Sequence, residues 1–226
     1  MVHSVCVFGD SVSRGVVLDE AKQRYIDCRE SFARRVALRA HLTVGNFSRF
    51  GCTVTKGGMV ARRHLADAAA ADWTVVEFGG NDCDYHWAQV AAAPQDAHDC
   101  NTPPQRFAEE YRALLATVQQ AGGRPVVFSL PPVDGERYLG WISRALPREP
   151  LLQFLGSAQR IHDWQAHYSA LAVDAAHSQG VPVIDLRGAF LTQKNWQALL
   201  CGDGIHPNAD GHRLIGEVLE SYLARA

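Results

Sequence analysis

Five short apolar segments recur along the chain, separated by stretches whose apolar residues follow helical spacing. Runs of this length, bounded by turn residues, are typical of buried strands. They predict strands over 4–8, 42–47, 73–78, 125–130 and 181–186. Because these segments are apolar along nearly their whole length, both faces of the resulting sheet are expected to be covered.

Amphipathic helices are predicted between the strands. The spacing of Phe107, Tyr111, Leu114, Leu115 and Val118 fits one face of a helix over 105–120. Similar patterns predict helices over 28–40 and 59–70, one ending at Gly180, and a last one capped by Asn208. Residues 16–26 suggest a small hairpin, and residues 83–104 and 131–150 are predicted as long loops.

This alternation predicts a three-layer α/β/α domain with a five-stranded parallel sheet and helices on both faces. Right-handed crossovers leave few strand orders, and they favour the flavodoxin-like one. The length of 226 residues and a hydrophobic content of 47% fit one domain over 1–226. We see no repeat, linker or low-complexity tract.

Composition excludes several classes of protein. A formal charge of −2 argues against a nucleic-acid binder, and no apolar run reaches the roughly 18–20 residues of a membrane span. The first strand begins within a few residues of Met1, so we expect no signal peptide and a cytoplasmic location. The six cysteines form no C-x-x-C pair, which favours reduced thiols over a zinc or redox motif.

Polar residues with complementary chemistry follow the predicted strands. Ser11, at the tip of the first strand, is a candidate nucleophile, but serine needs a base within hydrogen-bond reach. His206 is the candidate base, because imidazole titrates near neutrality. Asp203 stands three residues earlier in the same turn and could orient that imidazole. The Ser11 amide, the Gly51 amide and the Asn81 side chain could donate to an oxyanion.

These positions lie in four sequence blocks that occur in a fixed order. The blocks are Gly9-Asp10-Ser11, the single Gly51, Gly79-Gly80-Asn81-Asp82, and Asp203-Gly204-Ile205-His206-Pro207. With them the chain resembles the SGNH hydrolases, also called GDSL esterases, from residue 5 to about 215. Val12 replaces the leucine of the name-giving motif, an exchange of one apolar residue for another. Gly45 lies near Gly51 and is an alternative for the second block.

The resemblance implies hydrolysis of an ester through an acyl-serine intermediate, with no metal or organic cofactor. The expected substrate is a small-molecule or carbohydrate ester with a short-to-medium acyl group, because no large apolar lid is evident. Arg49, Arg137 and Arg144 could favour an acidic or sugar-bearing alcohol. Acyl transfer would use the same residues, and a non-catalytic glycan-binding module on this fold is a further alternative. Oligomeric state is not predicted.

The remaining candidates have two interpretations each. The aromatic residues Tyr85, Trp87, Tyr138 and Trp141 could line the substrate pocket or pack the long loops onto the domain. The thiols of Cys52, Cys83 and Cys201 lie close in sequence to site residues, but small buried apolar roles are favoured for them. Asp10 and Asp82 are interpreted as structural groups that accept from loop amides. No metal site is predicted.

Overall fold

A computed structural model describes residues 2–225. Its principal feature is a parallel sheet of five strands in the order β4-β1-β5-β6-β7, with a separate two-stranded hairpin β2-β3. The strands are β1 (Ser4–Gly9), β2 (Val16–Asp19), β3 (Arg24–Asp27), β4 (Thr43–Asn46), β5 (Trp73–Glu77), β6 (Pro125–Phe128) and β7 (Val183–Ile184). This is the predicted flavodoxin-like order, with the hairpin inserted after the first strand.

Helices connect these strands and cover the sheet. They are α1 (Ser11–Arg14), α2 (Phe32–Arg39), α3 (Val54–Arg63), α4 (Leu65–Ala70), α5 (Trp87–Ala92), α6 (Pro104–Gln120), α7 (Gly135–Ile142), α8 (Arg148–Leu155), α9 (Gln159–His177), α10 (Leu186–Leu191) and α11 (Ala209–Leu223). A short 3-10 helix spans Trp196–Leu199. Within residues 2–225, no helix has both the length and the hydropathy to cross a membrane.

The core lies in two layers, one on each face of the sheet. Phe78, Phe107 and Tyr168 belong to the layer where α3, α6 and α9 cover one face. Phe32 and Ile215 belong to the opposite layer, where α2 and α11 cover the other face. Strand residues alternate between the two layers, as the period of two in a pleated strand requires. The predicted three-layer fold is confirmed.

A third apolar cluster lies beyond the carboxyl ends of the strands. It is built largely from helices in two segments, 83–104 and 131–150, that were predicted as long loops. Residues 83–104 contain α5, and the segment predicted as the loop 131–150 contains α7 and the start of α8. This cluster buries one residue from each helix, namely Val90 of α5, Leu139 of α7 and Leu151 of α8. The sequence showed no obvious large apolar lid, and these short helices supply an apolar cluster at this edge of the sheet. Short helices next to proline and glycine gave too weak a periodic signal to detect.

The helix predicted to begin at Met59 begins at Val54, so it includes Gly57 and Gly58. Glycine in a helix interior costs about 1 kcal/mol relative to alanine. At Gly57 a close approach requires it, because a Cβ there would collide with the ring of Phe78. A tertiary contact, invisible in the local pattern, thus overrides the helix propensity of the segment.

Candidate active site

The four sequence blocks meet at the carboxyl edge of the sheet. Strand β1 ends at Gly9, and β5 pairs beside it with Glu77 opposite Gly9, so the segments that follow both strands leave from neighbouring points. Strand β4 flanks β1 on the other side. Ligand sites of open parallel sheets form at this edge. The turn before α11 completes the group.

Ser11, His206 and Asp203 form a continuous hydrogen-bonded chain. His206 Nε2 lies 2.9 Å from Ser11 Oγ, and His206 Nδ1 lies 2.6 Å from Asp203 Oδ2. A carboxylate can only accept, so Asp203 holds the proton on Nδ1 and leaves Nε2 to accept from the serine hydroxyl. All three residues are buried.

Asp203 is held as an ionised carboxylate. Its Oδ1 accepts from the backbone amides of Ile205 at 3.1 Å and His206 at 3.2 Å. Burial works to raise the pKa of Asp203, but the hydrogen bond and charge of His206, with these amides, outweigh it and lower the pKa. The carboxylate therefore keeps its charge beside the imidazole.

The position of Ser11 follows from local backbone geometry. It is the first residue of the one-turn helix α1, and the Asp10 side chain caps that helix by accepting from the Val12 amide at 2.9 Å. Gly15, at a φ of +85°, ends the helix after four residues. The prediction that Asp10 accepts from loop amides is confirmed in the geometry.

The three proposed oxyanion donors have different surroundings. Neither Ser11 nor Gly51 donates its backbone N–H to another backbone group of residues 2–225. Gly51 has a φ of +67°, in the left-handed region that favours glycine. Gly45, the alternative, lies inside β4 opposite Cys6 and belongs to the sheet. Asn81 Nδ2 donates to Asp10 Oδ2 at 2.9 Å, which leaves one of its two hydrogens for a substrate.

Three buried carboxyl groups support the floor of the site. Both oxygens of Asp82 accept from the Val54 amide, at 3.0 and 3.1 Å, which fixes the start of α3. Burial raises the pKa of Asp82 to about 7. Glu77 accepts from the Ser13 hydroxyl at 2.8 Å. Burial raises the pKa of both Asp10 and Glu77, and their mutual repulsion adds to the rise at Asp10.

A cavity of about 590 Å³ opens beside Ser11 and His206. It extends between the segments that follow β5 and β6, towards Phe154 on α8 and Trp164 on α9. Predicted lining residues found there are Tyr85, Trp87 and Tyr138. Trp141 is not among the lining residues; it packs against Tyr25 at a ring distance of 6.0 Å.

One polar group in the cavity wall was not predicted. Asp84 accepts from Trp87 Nε1 at 2.7 Å and from the Tyr138 hydroxyl at 2.9 Å. Burial raises the pKa of Asp84, and these two hydrogen bonds counter part of the rise. The carboxylate thereby ties α5 to α7 across the cavity. In the sequence, only its position two residues after the Gly79-Gly80-Asn81-Asp82 block could have pointed to Asp84 as a site residue.

The cysteines near the site are buried thiols. Cys83 donates to the Gly80 carbonyl, with sulfur and oxygen 3.2 Å apart, and Cys201 Sγ accepts from the Leu18 amide at 3.5 Å. Burial raises the pKa of Cys52 and Cys201 to about 11. Of the three, Cys83 lines the cavity, and Cys52 and Cys201 do not. Within residues 2–225, no group of three or more His, Cys, Asp or Glu side chains is arranged to hold a metal ion.

Comparison with known proteins agrees with the fold and with the family that the motifs suggested. Residues 7–214 match the profile of the GDSL-like lipase/acylhydrolase family. The GDSL esterase/lipase CPRD49 of Arabidopsis thaliana is 26% identical over 149 residues, 64% of this chain and 52% of that protein. The chain thus spans about half the length of this curated relative.

Solved structures share the whole fold at low identity. A lipase/acylhydrolase from Enterococcus faecalis superposes with a TM-score of 0.69 at 18% identity, covering 98% of this chain and 95% of the other. Est24, a carbohydrate acetylesterase from Sinorhizobium meliloti, gives 0.69 at 16% identity and 99% of both chains. The chain belongs to the GDSL-like lipase/acylhydrolase family.

Proposed function

We propose that the chain hydrolyses esters with short-to-medium acyl groups through an acyl-serine intermediate. The observation that carries the proposal is the chain of hydrogen bonds from Asp203 through His206 to Ser11 at the mouth of an aromatic cavity. Serine is a weak nucleophile alone, and a base within hydrogen-bond reach that is itself oriented by a carboxylate activates it.

In the first half-reaction, His206 Nε2 takes the hydroxyl proton while Ser11 Oγ attacks the ester carbon. The carbonyl oxygen becomes an oxyanion that the Ser11 and Gly51 amides and the second hydrogen of Asn81 Nδ2 stabilise. The bond to the alcohol oxygen then breaks, and His206 returns its proton to that oxygen. Water, deprotonated by the same nitrogen, cleaves the acyl-serine and restores the hydroxyl.

The cavity supports an acyl group longer than acetyl. Tyr85, Phe154 and Trp164 give it an aromatic wall, and α5, α7 and α8 cover it. Each buried methylene contributes about 0.8 kcal/mol, equivalent to roughly a fourfold gain in kcat/KM. An acyl chain placed there should therefore be favoured one methylene at a time until the cavity is full.

The alcohol part of the substrate is less constrained. Est24, which shares the fold, is a carbohydrate acetylesterase, and this likeness keeps sugar esters among the candidates. Transfer of the acyl group to an acceptor other than water uses the same residues. It would appear as a second acylated product that increases with added alcohol or sugar.

The test is hydrolysis of p-nitrophenyl esters from acetate to decanoate by the wild type, Ser11→Ala and His206→Ala. We expect kcat/KM to rise from acetate to esters of intermediate length and then to level off or fall. Both variants should lose several orders of magnitude in kcat. Binding of substrate should be retained in Ser11→Ala, because only the nucleophilic oxygen is removed.

The matched control is Thr53→Ala, a substitution close to the Gly51 turn. The Thr53 side chain makes no capping hydrogen bond to α3, so its loss should leave the helix unchanged. It should retain activity close to that of the wild type. A wild type inert on every ester, or a Ser11→Ala variant as active as the wild type, would overturn the proposal. The glycan-binding alternative would then be the better one.

A further inference from the structure

The hairpin β2–β3 places an aromatic ring directly on His206. The ring centroids of Tyr25 and His206 are 4.9 Å apart at an angle of 55°, and Tyr25 lines the cavity. The Tyr25 hydroxyl faces Asp203: burial raises the pKa of Tyr25, and the Asp203 carboxylate raises it further. Tyr25 therefore stands over both the base and the carboxylate that orients it.

The hairpin is anchored to the turn that carries His206. Glu20, between the two strands, accepts from the Gly202 amide, with nitrogen and oxygen 2.6 Å apart. Leu18, directly opposite Tyr25 in the hairpin, donates its amide to Cys201 Sγ. These contacts join the hairpin to residues one and two positions before Asp203. The hairpin therefore holds Tyr25 in a fixed position relative to the turn that carries Asp203 and His206.

Tyr25 is the centre of a larger aromatic platform, which we define as Tyr25, Phe50 and Trp141. Phe50 lies 5.1 Å from Tyr25 and 6.1 Å from His206, nearly parallel to the imidazole at 13°. It is 49% exposed, so much of its ring surface is open to solvent. The guanidinium of Arg144 lies 4.4 Å from the Trp141 ring centre and marks the outer end of the platform.

The chemistry of the site decides which part of an ester meets this platform. The proton acceptor in acylation, Nε2 of His206, must give its proton to the departing alcohol oxygen, so the alcohol leaves beside the imidazole. The rings that contact the imidazole therefore border the alcohol. The acyl group is then left to extend towards the part of the cavity walled by Phe154 and Trp164.

We propose that the Tyr25 and Phe50 rings of this platform, which line the cavity, form a binding subsite for the alcohol part of the ester, and that this subsite selects alcohols carrying a flat or saturated six-membered ring. Aromatic faces stack well on aryl rings and on the C–H faces of sugars, and neither mode needs a charged partner. This inference rests on the proposed function, because it requires that Ser11 be acylated and that an alcohol depart.

The test uses three butanoate esters of primary alcohols, namely benzyl butanoate, methyl 6-O-butanoyl-glucopyranoside and 2-methoxyethyl butanoate. All three give the same butanoyl-enzyme, so kcat/KM reports acylation, the step in which the alcohol is still bound. The variants are Tyr25→Leu, Tyr25→Phe and, as the matched control, Ile26→Ala. Ile26 is the exposed neighbour on the same strand, paired with Val17 rather than Leu18.

We expect Tyr25→Leu to lower kcat/KM for at least one ring-bearing ester about fivefold to tenfold more than for the methoxyethyl ester. Tyr25→Phe, which keeps the ring, should keep the wild-type preference, as should Ile26→Ala. A loss confined to the benzyl ester identifies aryl alcohols, and one confined to the glucoside identifies sugars.

An equal change for all three esters in Tyr25→Leu would overturn the inference, because Tyr25 would then act on His206 alone. The proposed function would survive that result. A wild type that cleaves none of the three esters would instead remove the proposed function, and the subsite with it.

Discussion

His212 is a buried histidine outside the catalytic group, and it should make the protein sensitive to acid. It lies on α11, is fully buried, and stacks on Phe32 with ring centroids 5.9 Å apart. Neither ring nitrogen has a hydrogen-bond partner within the described chain. Burial lowers the pKa of His212 from 6.5 to about 4; the Val16 backbone opposes this fall, and the charge of His206 adds to it.

The sign and size of the effect follow from proton linkage. Between pH 6.5 and pH 4 the unfolded chain binds a proton at His212 and the folded chain does not, so the free energy of unfolding falls as the pH falls. A shift of about 2.5 pKa units corresponds to about 3 kcal/mol between pH 7 and pH 4. Above pH 7 the group contributes no pH dependence.

His212→Leu should remove this dependence. The substitution replaces an unpartnered polar ring by an apolar side chain of similar size, so stability at pH 7 should change by no more than about 1 kcal/mol. Urea unfolding, followed by tryptophan fluorescence at pH 7, 6, 5 and 4, gives the free energy at each pH. The variant should lose about 3 kcal/mol less than the wild type across that range.

Ile215→Val, on the same helix and fully buried, is the matched control. Loss of one methylene should lower stability by about 1 kcal/mol equally at every pH, because no titrating group changes. Parallel pH profiles for the wild type and His212→Leu would refute the reasoning. The burial of His212 would then not be what lowers stability in acid.

Three further outcomes follow from the site. Asp203→Asn should lower kcat about 10²–10⁴-fold, because an amide does not stabilise the imidazolium; activity close to that of the wild type would show that the turn backbone orients His206 alone. Asn81→Ala should lower kcat by about 10²–10³ with little change in KM, and a change in KM alone would argue against an oxyanion role. Glu77→Gln should flatten the loss of stability that the wild type shows as the pH rises above 4.5, the ordinary pKa of a glutamate. Burial raises the pKa of Glu77, so the folded chain keeps a proton that the unfolded chain releases, and stability falls until the pH passes the folded pKa. Chemical denaturation from pH 5 to 9 measures this, and an unchanged profile would contradict it.

Local pattern was enough to predict the sheet and the positions of the four motifs. A buried parallel strand must be apolar along its length, so the segment ending at Phe8 was recognisable without its neighbours. Since all carboxyl ends of parallel strands lie at one edge, residues such as Ser11 and Asn81 were expected to converge. The motif order, not any single residue, carried the family resemblance.

Local pattern failed where a distant contact decides the structure. Gly57 suggested a break, yet it lies inside α3 because the Phe78 ring leaves no room for a side chain. Helices α7 and α8 have only eight residues each, and their apolar positions become meaningful only when they close over the cavity. Short helices gain most of their stability from tertiary packing, which no local window contains.

The sequence by itself determined the fold class, the family and the residues of the proposed catalytic group, because those depend on periodicity and on ordered motifs. Only the tertiary structure decided the shape of the substrate site. Trp141, predicted as a lining residue, packs instead against Tyr25. Tyr25, about 180 residues before His206 and carrying no motif, contacts the imidazole. Such pairings depend on how a hairpin and a turn dock, and docking is a property of the packed surfaces rather than of either segment alone.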